Sequence, residues 1–463
     1  MKRTKIVATI GPVSTSKEIL EELSEAGVDI FRINFSHGTH ESHTVEINLI
    51  KSLRVPGTIM LDTKGPEIRI GEIRGQLNLK TGDSFIMTTK KGIYEDEGKV
   101  SVSHDGFYND VNVGDAIVLD GGVMQARALE KRSNNEILFE ITGGWGALTS
   151  KRHVNLFGKP VSLPTITEQD WKDIDFGLEK GIDMIALSFV RSAEDIDKVR
   201  EYCKSKGHGD VQLVAKIENF ESTQNLEGIV KKSDGIMVAR GDLACEIQFS
   251  KVPALQKKII ALCRIHGKPV IVATQMLLSM VENVRPTRAE VSDVANAVFE
   301  QADAVMTSDE TAKGNYPIDT IKTMANIVIS TEEEIYENRN NYISPKRCSC
   351  GDSSKESVIP MLMPYTNRIS AILVLGNRGE YLSNVASARI DLPIFSFTSS
   401  ENLRNSQRLT WNTTPILAPI SDDWTKNIDI ALGIMNKTYG KKYKEVAIIF
   451  EMGDNLTVQL RKI

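Results

Sequence analysis

Through most of the chain, short runs of apolar residues alternate with stretches whose apolar positions recur every three or four residues. Buried strands and amphipathic helices have these two periods, and their alternation predicts a parallel sheet with crossover helices. A first strand is expected at Lys5–Ile10, ending at Gly11-Pro12. In the helix after it, Thr15 and Glu18 have capping-box spacing, Ile19, Leu20 and Leu23 mark the buried face, and Gly27 is the stop. Strands two and three are expected at 29–35 and 58–63.

The rhythm then changes. From about residue 67 to 162, short alternating runs such as Ser84–Thr88 and Ala116–Leu119 are separated by Thr81-Gly82-Asp83, Gly114-Asp115 and Asn134-Asn135, as in a small all-β insertion. Helical order resumes at Thr167, with Asp170 as box partner and Gly181 as stop. Five more strands are expected at 184–190, 212–217, 235–238, 269–273 and 303–307, with helix caps at Ser192 with Asp195 and Thr287 with Glu290. Three strands before the insertion and five after it predict a closed (β/α)8 barrel, a TIM barrel; an open doubly wound sheet is the competing reading. A polar, Ser-rich stretch at 338–355 reads as a linker. Beyond it, strand-like runs at 371–375, 393–397, 416–419 and 445–450 predict a C-terminal open-sheet α/β domain. The expected division is a barrel from 1–66 and 164–340, an inserted lid at 67–163 and a regulatory domain at 345–463.

Composition narrows the classes. A chain of 463 residues exceeds what one core normally serves, so two or three domains are expected. A formal net charge of −5 gives no general attraction for nucleic acid or anionic lipid, so an anionic ligand must be held by local groups. No apolar run is long enough to span a bilayer, and Met1-Lys2-Arg3-Thr4 lacks a signal-peptide layout. Cys203, Cys245 and Cys263 are scattered, and Cys348-Ser349-Cys350 lacks a second ligand pair for a metal. The five cysteines read as reduced thiols of a cytoplasmic protein.

In a barrel, functional side chains sit at the C-terminal ends of the strands. Polar residues cluster there: Arg32-Ile33-Asn34-Phe35-Ser36-His37-Gly38 on strand two, Asp62-Thr63-Lys64-Gly65-Pro66 on strand three, Lys216-Ile217-Glu218 on strand five. Arg240-Gly241-Asp242, Thr274-Gln275 and Asp309-Glu310-Thr311-Ala312-Lys313-Gly314 end the last three. Alternate residues share a face, which aligns Arg32 with Asn34 and Ser36, and Lys216 with Glu218. Glu218 and Asp242 on neighbouring strand ends suit a magnesium-like ion, or else salt bridges to Lys216 or Arg240. Lys216 is a candidate phosphoryl-stabilising cation, proton donor or Schiff-base nucleophile, or a structural ion-pair partner. Arg32 offers a planar fork for phosphate or carboxylate, and also a partner for Asp62. Asn34, Ser36, Asp62 and Thr63 supply hard oxygen donors for a cation, or an ordinary hydrogen-bond network. No GxxxxGK[ST] occurs, so a P-loop is excluded; a nucleotide site between barrel and insertion stays open.

Together these motifs resemble pyruvate kinase. The resemblance rests on Arg3 to Pro12, Arg32 to Gly38, Asp62 to Arg69, Lys216 to Asn219, Met237 to Leu243, Ala273 to Met276, Arg285 to Glu290 and Glu310 to Gly314. It is dense over the barrel, looser in the insertion and weak in the C-terminal domain. It implies phosphoryl transfer from phosphoenolpyruvate to ADP, giving pyruvate and ATP, with Mg2+ (or Mn2+) and K+ as cofactors and a homotetramer as the assembly. It assigns Glu218 and Asp242 to the divalent ion, and Asn34, Ser36, Asp62 and Thr63 to the monovalent ion. Arg32, Lys216, Gly241, Asp242 and Thr274 would bind substrate, with Lys216 between phosphoryl group and enolate and Thr274 the candidate proton donor through water. Asn34, Phe35, Ser36, His37, Arg69 and Arg152 match nucleotide contacts.

The chain departs from the family at several points. Potassium-dependent members usually carry Thr-Lys-Gly-Pro-Glu-Ile-Arg-Thr; Thr63, Lys64 and Glu67 fit, and Ile70 replaces the last Thr. Potassium activation is expected. Arg152 stands where a nucleotide-contacting Lys is usual, keeping charge but not geometry. Phe157 replaces a Pro, and Asp309 a Gly. Sugar-phosphate-regulated members carry a Ser/Thr-rich loop where this chain has Leu375-Gly376-Asn377-Arg378-Gly379-Glu380, so no response to fructose bisphosphate is expected. A barrel lyase or aldolase acting on pyruvate-like acids, and a catalytically dead binding protein, are the competing readings.

Overall fold

Strand one pairs with strand eight, Lys5 opposite Ala304, and this closes the barrel and excludes the open sheet. The structure is a computed structural model that describes residues 2–54, 57–95, 98–133, 135–338, 358–376, 380–452 and 455–463. The barrel strands are Lys5–Ile10, Ile30–Asn34, Thr58–Asp62, Met184–Leu187, Gln212–Ile217, Gly235–Ala239, Val270–Ala273 and Ala304–Thr307. All pairings around the ring are parallel. Three of the four predicted helix caps form: Thr167, Ser192 and Thr287 each make a capping box. The fourth is displaced by one residue. Ser16 caps the first helix, accepting from Ile19 N at 3.3 Å, while the Thr15 hydroxyl donates to Gly11 O at 2.8 Å. Gly27 ends that helix at φ 121°, a conformation that favours glycine.

Inside the barrel the strands' two-residue period builds layers. Val7, Ile30, Met60, Ala186 and Val214 belong to one apolar cluster. Two residues further along the same strands come Thr9, Arg32, Asp62, Ser188 and Lys216, so a polar layer sits directly on the apolar one. The lower end is closed by Leu409 of the C-terminal domain, which joins the same cluster and is 2% exposed.

The insertion is a seven-stranded sheet with a small two-stranded ribbon and its own core, containing Phe85, Phe107 and Phe139. The C-terminal sheet has five strands in the order Thr413–Leu417, Ile394–Thr398, Ala371–Leu375, Glu445–Met452, Asn455–Lys462. Two of these differ from the sequence reading. The strand expected at 416–419 begins at Thr413, because pairing with Ile394–Thr398 recruits the polar Thr413-Thr414. Asn455–Lys462 went unrecognised, and it is the sheet's one antiparallel strand, on its edge. The predicted linker (beyond Asn338), Cys348, Cys350, Asn134 of one predicted turn, and Asn377 to Gly379 of the predicted loop lie outside the described residues. No described helix is long and apolar enough to cross a membrane.

Candidate active site

The polar layer forms one connected network. Arg32 donates through Nε to Asp62 Oδ2 at 2.6 Å and through Nη1 to Thr9 Oγ1 at 2.8 Å. Lys216 Nζ, from the strand on the other side, reaches Asp62 Oδ1 at 3.1 Å and Ser188 Oγ at 2.7 Å. Asp62 has no solvent exposure. Burial alone would raise its pKa, but the charges of Arg32 and Lys216 outweigh that and hold it below the usual carboxylate range. Burial likewise disfavours the Lys216 ammonium, yet Asp62 and Glu218 raise its pKa above the usual lysine value, so it is a permanent cation.

Lys216 and Glu218 share a face as their spacing predicts, Nζ to Oε2 at 3.2 Å. Glu218 is fully buried, and its Oε1 accepts the Phe189 backbone N–H at 2.8 Å. Its Oε2 accepts no hydrogen bond despite the nearby ammonium. Burial pushes Glu218 up to about 7; Lys216 opposes this, and the charges of Asp242 and Asp62 add to it. Burial also raises Asp242. A buried carboxylate oxygen with no hydrogen-bond donor, beside a second carboxyl that burial also raises, has the chemistry of a cation ligand. Among the described residues no third His, Cys, Asp or Glu completes a metal cluster. Two carboxylates with open positions suit magnesium or manganese, which take few protein ligands and fill the rest with water and substrate oxygens.

Asp242 lies in the first turn of the helix Arg240–Glu246, next to Gly241. Thr274, from the neighbouring strand end, accepts the Gly241 N–H on Oγ1 at 2.8 Å and donates to Ala273 O at 2.6 Å. Its φ is +70°, a strained conformation for a β-branched residue. Arg240 holds that strain in place, donating to the Thr274 carbonyl at 2.7 Å and the Ala273 carbonyl at 3.1 Å while pairing with Asp293. Arg240 therefore braces the strand end and is not the partner of Asp242.

The proposed monovalent-ion donors are adjacent. Asn34 pairs with Asp62 across strands two and three, and Asn34 Oδ1 accepts the Ser36 N–H at 3.1 Å. Thr63 Oγ1 accepts the Ser188 N–H at 3.0 Å. Beside them a cleft of about 710 Å³ is lined by Arg32, Asn34, His37, Pro12, Asp309 and Lys313, among others. His37 is exposed, and burial together with the charge of Lys313 lowers its pKa. The Phe35 ring is buried, stacked on His43 at a 4.1 Å centroid distance. Arg69 is bound to Glu67 at 2.7 Å and to the Lys151 carbonyl at 2.7 Å. Arg152 is exposed and engages Asp120 and Thr149, each at 3.0 Å.

Sequence reasoning passed over strands one and four. Thr9 and Ser188 end them and complete the network around Arg32, Lys216 and Asp62. A signal was present: both are lone polar residues two positions beyond an inward apolar one. Lys313, in the predicted strand-eight loop, also lines the cleft, paired with Asp309 at 3.1 Å.

The pyruvate kinase barrel-domain family model matches residues 1–321. Pyruvate kinase of Geobacillus stearothermophilus is 39% identical over 100% of this chain and 80% of its own length. Pyruvate kinase isozyme G, chloroplastic, of Nicotiana tabacum is 38% identical over 94% of this chain and 77% of its own. The crystal structure of a pyruvate kinase from Cryptosporidium parvum superposes with a TM-score of 0.90 at 30% identity, covering 100% of this chain and 96% of that one. The chain belongs to the pyruvate kinase family.

Proposed function

We propose that the polar layer of the barrel is where this enzyme transfers the phosphoryl group of phosphoenolpyruvate to ADP, with Lys216 as the cation beside the moving group. The bond from phosphorus to the enol oxygen breaks as one forms to a terminal oxygen of the ADP β-phosphate. The enolate left behind takes a proton at its methylene carbon and becomes pyruvate. Such a transfer spreads negative charge over the phosphoryl oxygens, so fixed positive charge is its main requirement. The placement of Lys216 Nζ 3.1 Å from Asp62 and 3.2 Å from Glu218, which favours its charged form, is the observation that carries this reading.

Glu218 and Asp242 would hold a divalent ion, which supplies further positive charge to phosphoryl and enolate oxygens. Asn34, Ser36, Asp62 and Thr63 would hold potassium, which adds a monovalent charge near the phosphates. Arg32 clamps the substrate phosphoryl group while anchored on Asp62 and Thr9. Gly241, whose side leaves the backbone bare, lets substrate approach Asp242 and Thr274. Thr274 directs a water toward the enolate carbon. The nucleotide contacts would be Asn34, Phe35, Ser36 and His37, of which Asn34 and His37 line the large cleft, with Arg69 and Arg152 from the insertion. A homotetramer is the assembly we infer, and the buried free thiols Cys203, Cys245 and Cys263 support a reducing, cytoplasmic setting.

The lyase reading is not favoured. A Schiff-base lysine must lose its proton to attack a carbonyl, whereas Lys216 is held protonated by two carboxylates. A coupled assay that varies phosphoenolpyruvate with and without ADP, magnesium and potassium tests the function. Pyruvate formation should require ADP and the divalent ion, and borohydride should trap no adduct at Lys216. Pyruvate release without ADP, or a trapped adduct, would overturn it.

A further inference from the structure

The helix Arg240–Glu246 carries Asp242 in its first turn and Glu246 in its last. Glu246 is 9% exposed, although nothing in the reaction calls for a carboxyl there. Its backbone carbonyl accepts the Gly158 N–H at 2.9 Å. Its side chain accepts from Asn155 Nδ2 at 3.0 Å. Both donors belong to the segment that leads out of the insertion, and Asn155 lies in the strand Val154–Leu156 of the insertion's sheet. The residue before that strand, His153, sits 3.8 Å from Glu67. One carboxyl therefore links the insertion to the helix that bears Asp242.

We propose that Glu246 is a positioning residue that, through Asn155, couples the placement of the insertion to the spacing of Glu218 and Asp242 and so sets their affinity for a divalent ion. The inference rests on the reading of Glu218 and Asp242 as the divalent-ion pair. The physical ground is that Arg240–Glu246 is only two turns long and hydrogen-bonded along its length, so a displacement of the insertion at Asn155 and Gly158 reaches Asp242 at its other end over a short path. Partners behind a metal's ligands typically change affinity by roughly 10–100-fold when removed.

The test uses the full chain and Mn2+ alone, with binding read from the electron paramagnetic resonance of free Mn2+ in the absence of substrates. Asn155→Ala and Glu246→Gln should each weaken Mn2+ binding about tenfold. Asn155→Asp, which removes the amide donor and sets a second carboxyl against Glu246, should weaken it more. At saturating Mn2+, kcat should recover most of its value in Asn155→Ala, so that the defect lies in the metal's concentration dependence. Wild-type Mn2+ affinity in Asn155→Ala, with only a lower melting temperature in EDTA, would reduce Glu246 to a structural brace and overturn the proposal. Glu218→Gln serves as the reference. Loss of Mn2+ binding there, with none in Asn155→Ala, overturns the coupling alone, and undiminished binding in Glu218→Gln overturns the metal assignment and the coupling with it.

Discussion

Asp62 stands between two cations, accepting Arg32 Nε on one oxygen at 2.6 Å and Lys216 Nζ on the other at 3.1 Å. The cations repel one another, and the carboxylate between them makes their close placement stable. Asp62→Asn would leave two buried charges facing an amide. The loss of one member of a buried ion group costs about 3–5 kcal/mol, so the variant should unfold at clearly lower denaturant. Adding Lys216→Met should recover part of that loss, and a double-mutant cycle in urea measures it.

Lys216→Met alone separates charge from scaffold. Turnover should fall at least about a thousandfold, the scale of removing a transition-state cation. Mn2+ binding should persist, because Glu218 and Asp242 remain. Steady-state kinetics paired with Mn2+ titration checks both halves.

The pH response follows from Glu218 and Glu246, which burial raises from 4.5 to about 7. Between those values the folded protein binds more protons than the unfolded chain. Metal-free stability contributed by these groups is therefore full below the lower value and is lost as pH rises through about 7. A divalent ion held at Glu218 would take over from the proton. Calorimetry should show Mg2+ raising the melting temperature more at about pH 8 than at about pH 5.5. An equal rise at both would contradict the assignment of Glu218 as a ligand.

Potassium should activate the enzyme. Asn34, Ser36, Asp62 and Thr63 present hard oxygen donors at adjacent strand ends. Activity should drop clearly when tetramethylammonium replaces potassium at constant ionic strength, since an ion shielded by methyl groups cannot take up hard oxygen donors. Equal rates in the two salts would remove the site.

Thr274→Ala deletes a hydroxyl that is tied to Gly241 and Ala273 at a strained backbone position. Solvent exchange into the methyl group of pyruvate, followed by NMR, should slow more than phosphoryl transfer does. A matched decline in both would assign Thr274 to substrate binding instead.

The secondary structure near the site was legible because its causes are local. Capping boxes at Thr167, Ser192 and Thr287 need only a hydroxyl and a carboxyl three residues apart. The misplaced cap at Thr15 was a contest between neighbouring hydroxyls, decided when Gly11 O captured Thr15. The edge strand Asn455–Lys462 was missed because its pairing with Glu445–Met452 depends on a sheet already formed.

By itself, the sequence determined which side chains stand at the strand ends and which of them share a face, since strand period and helix caps act over a few residues. Lys216 beside Glu218 is such a local consequence. Only the tertiary structure decided that Lys216 meets Asp62 across 154 positions of chain, that Ser188 joins them, and that Glu246 binds Asn155 of the insertion. Barrel closure and the seating of the insertion bring those residues together. The balance of charge that fixes each proton exists only once burial has removed the water between them.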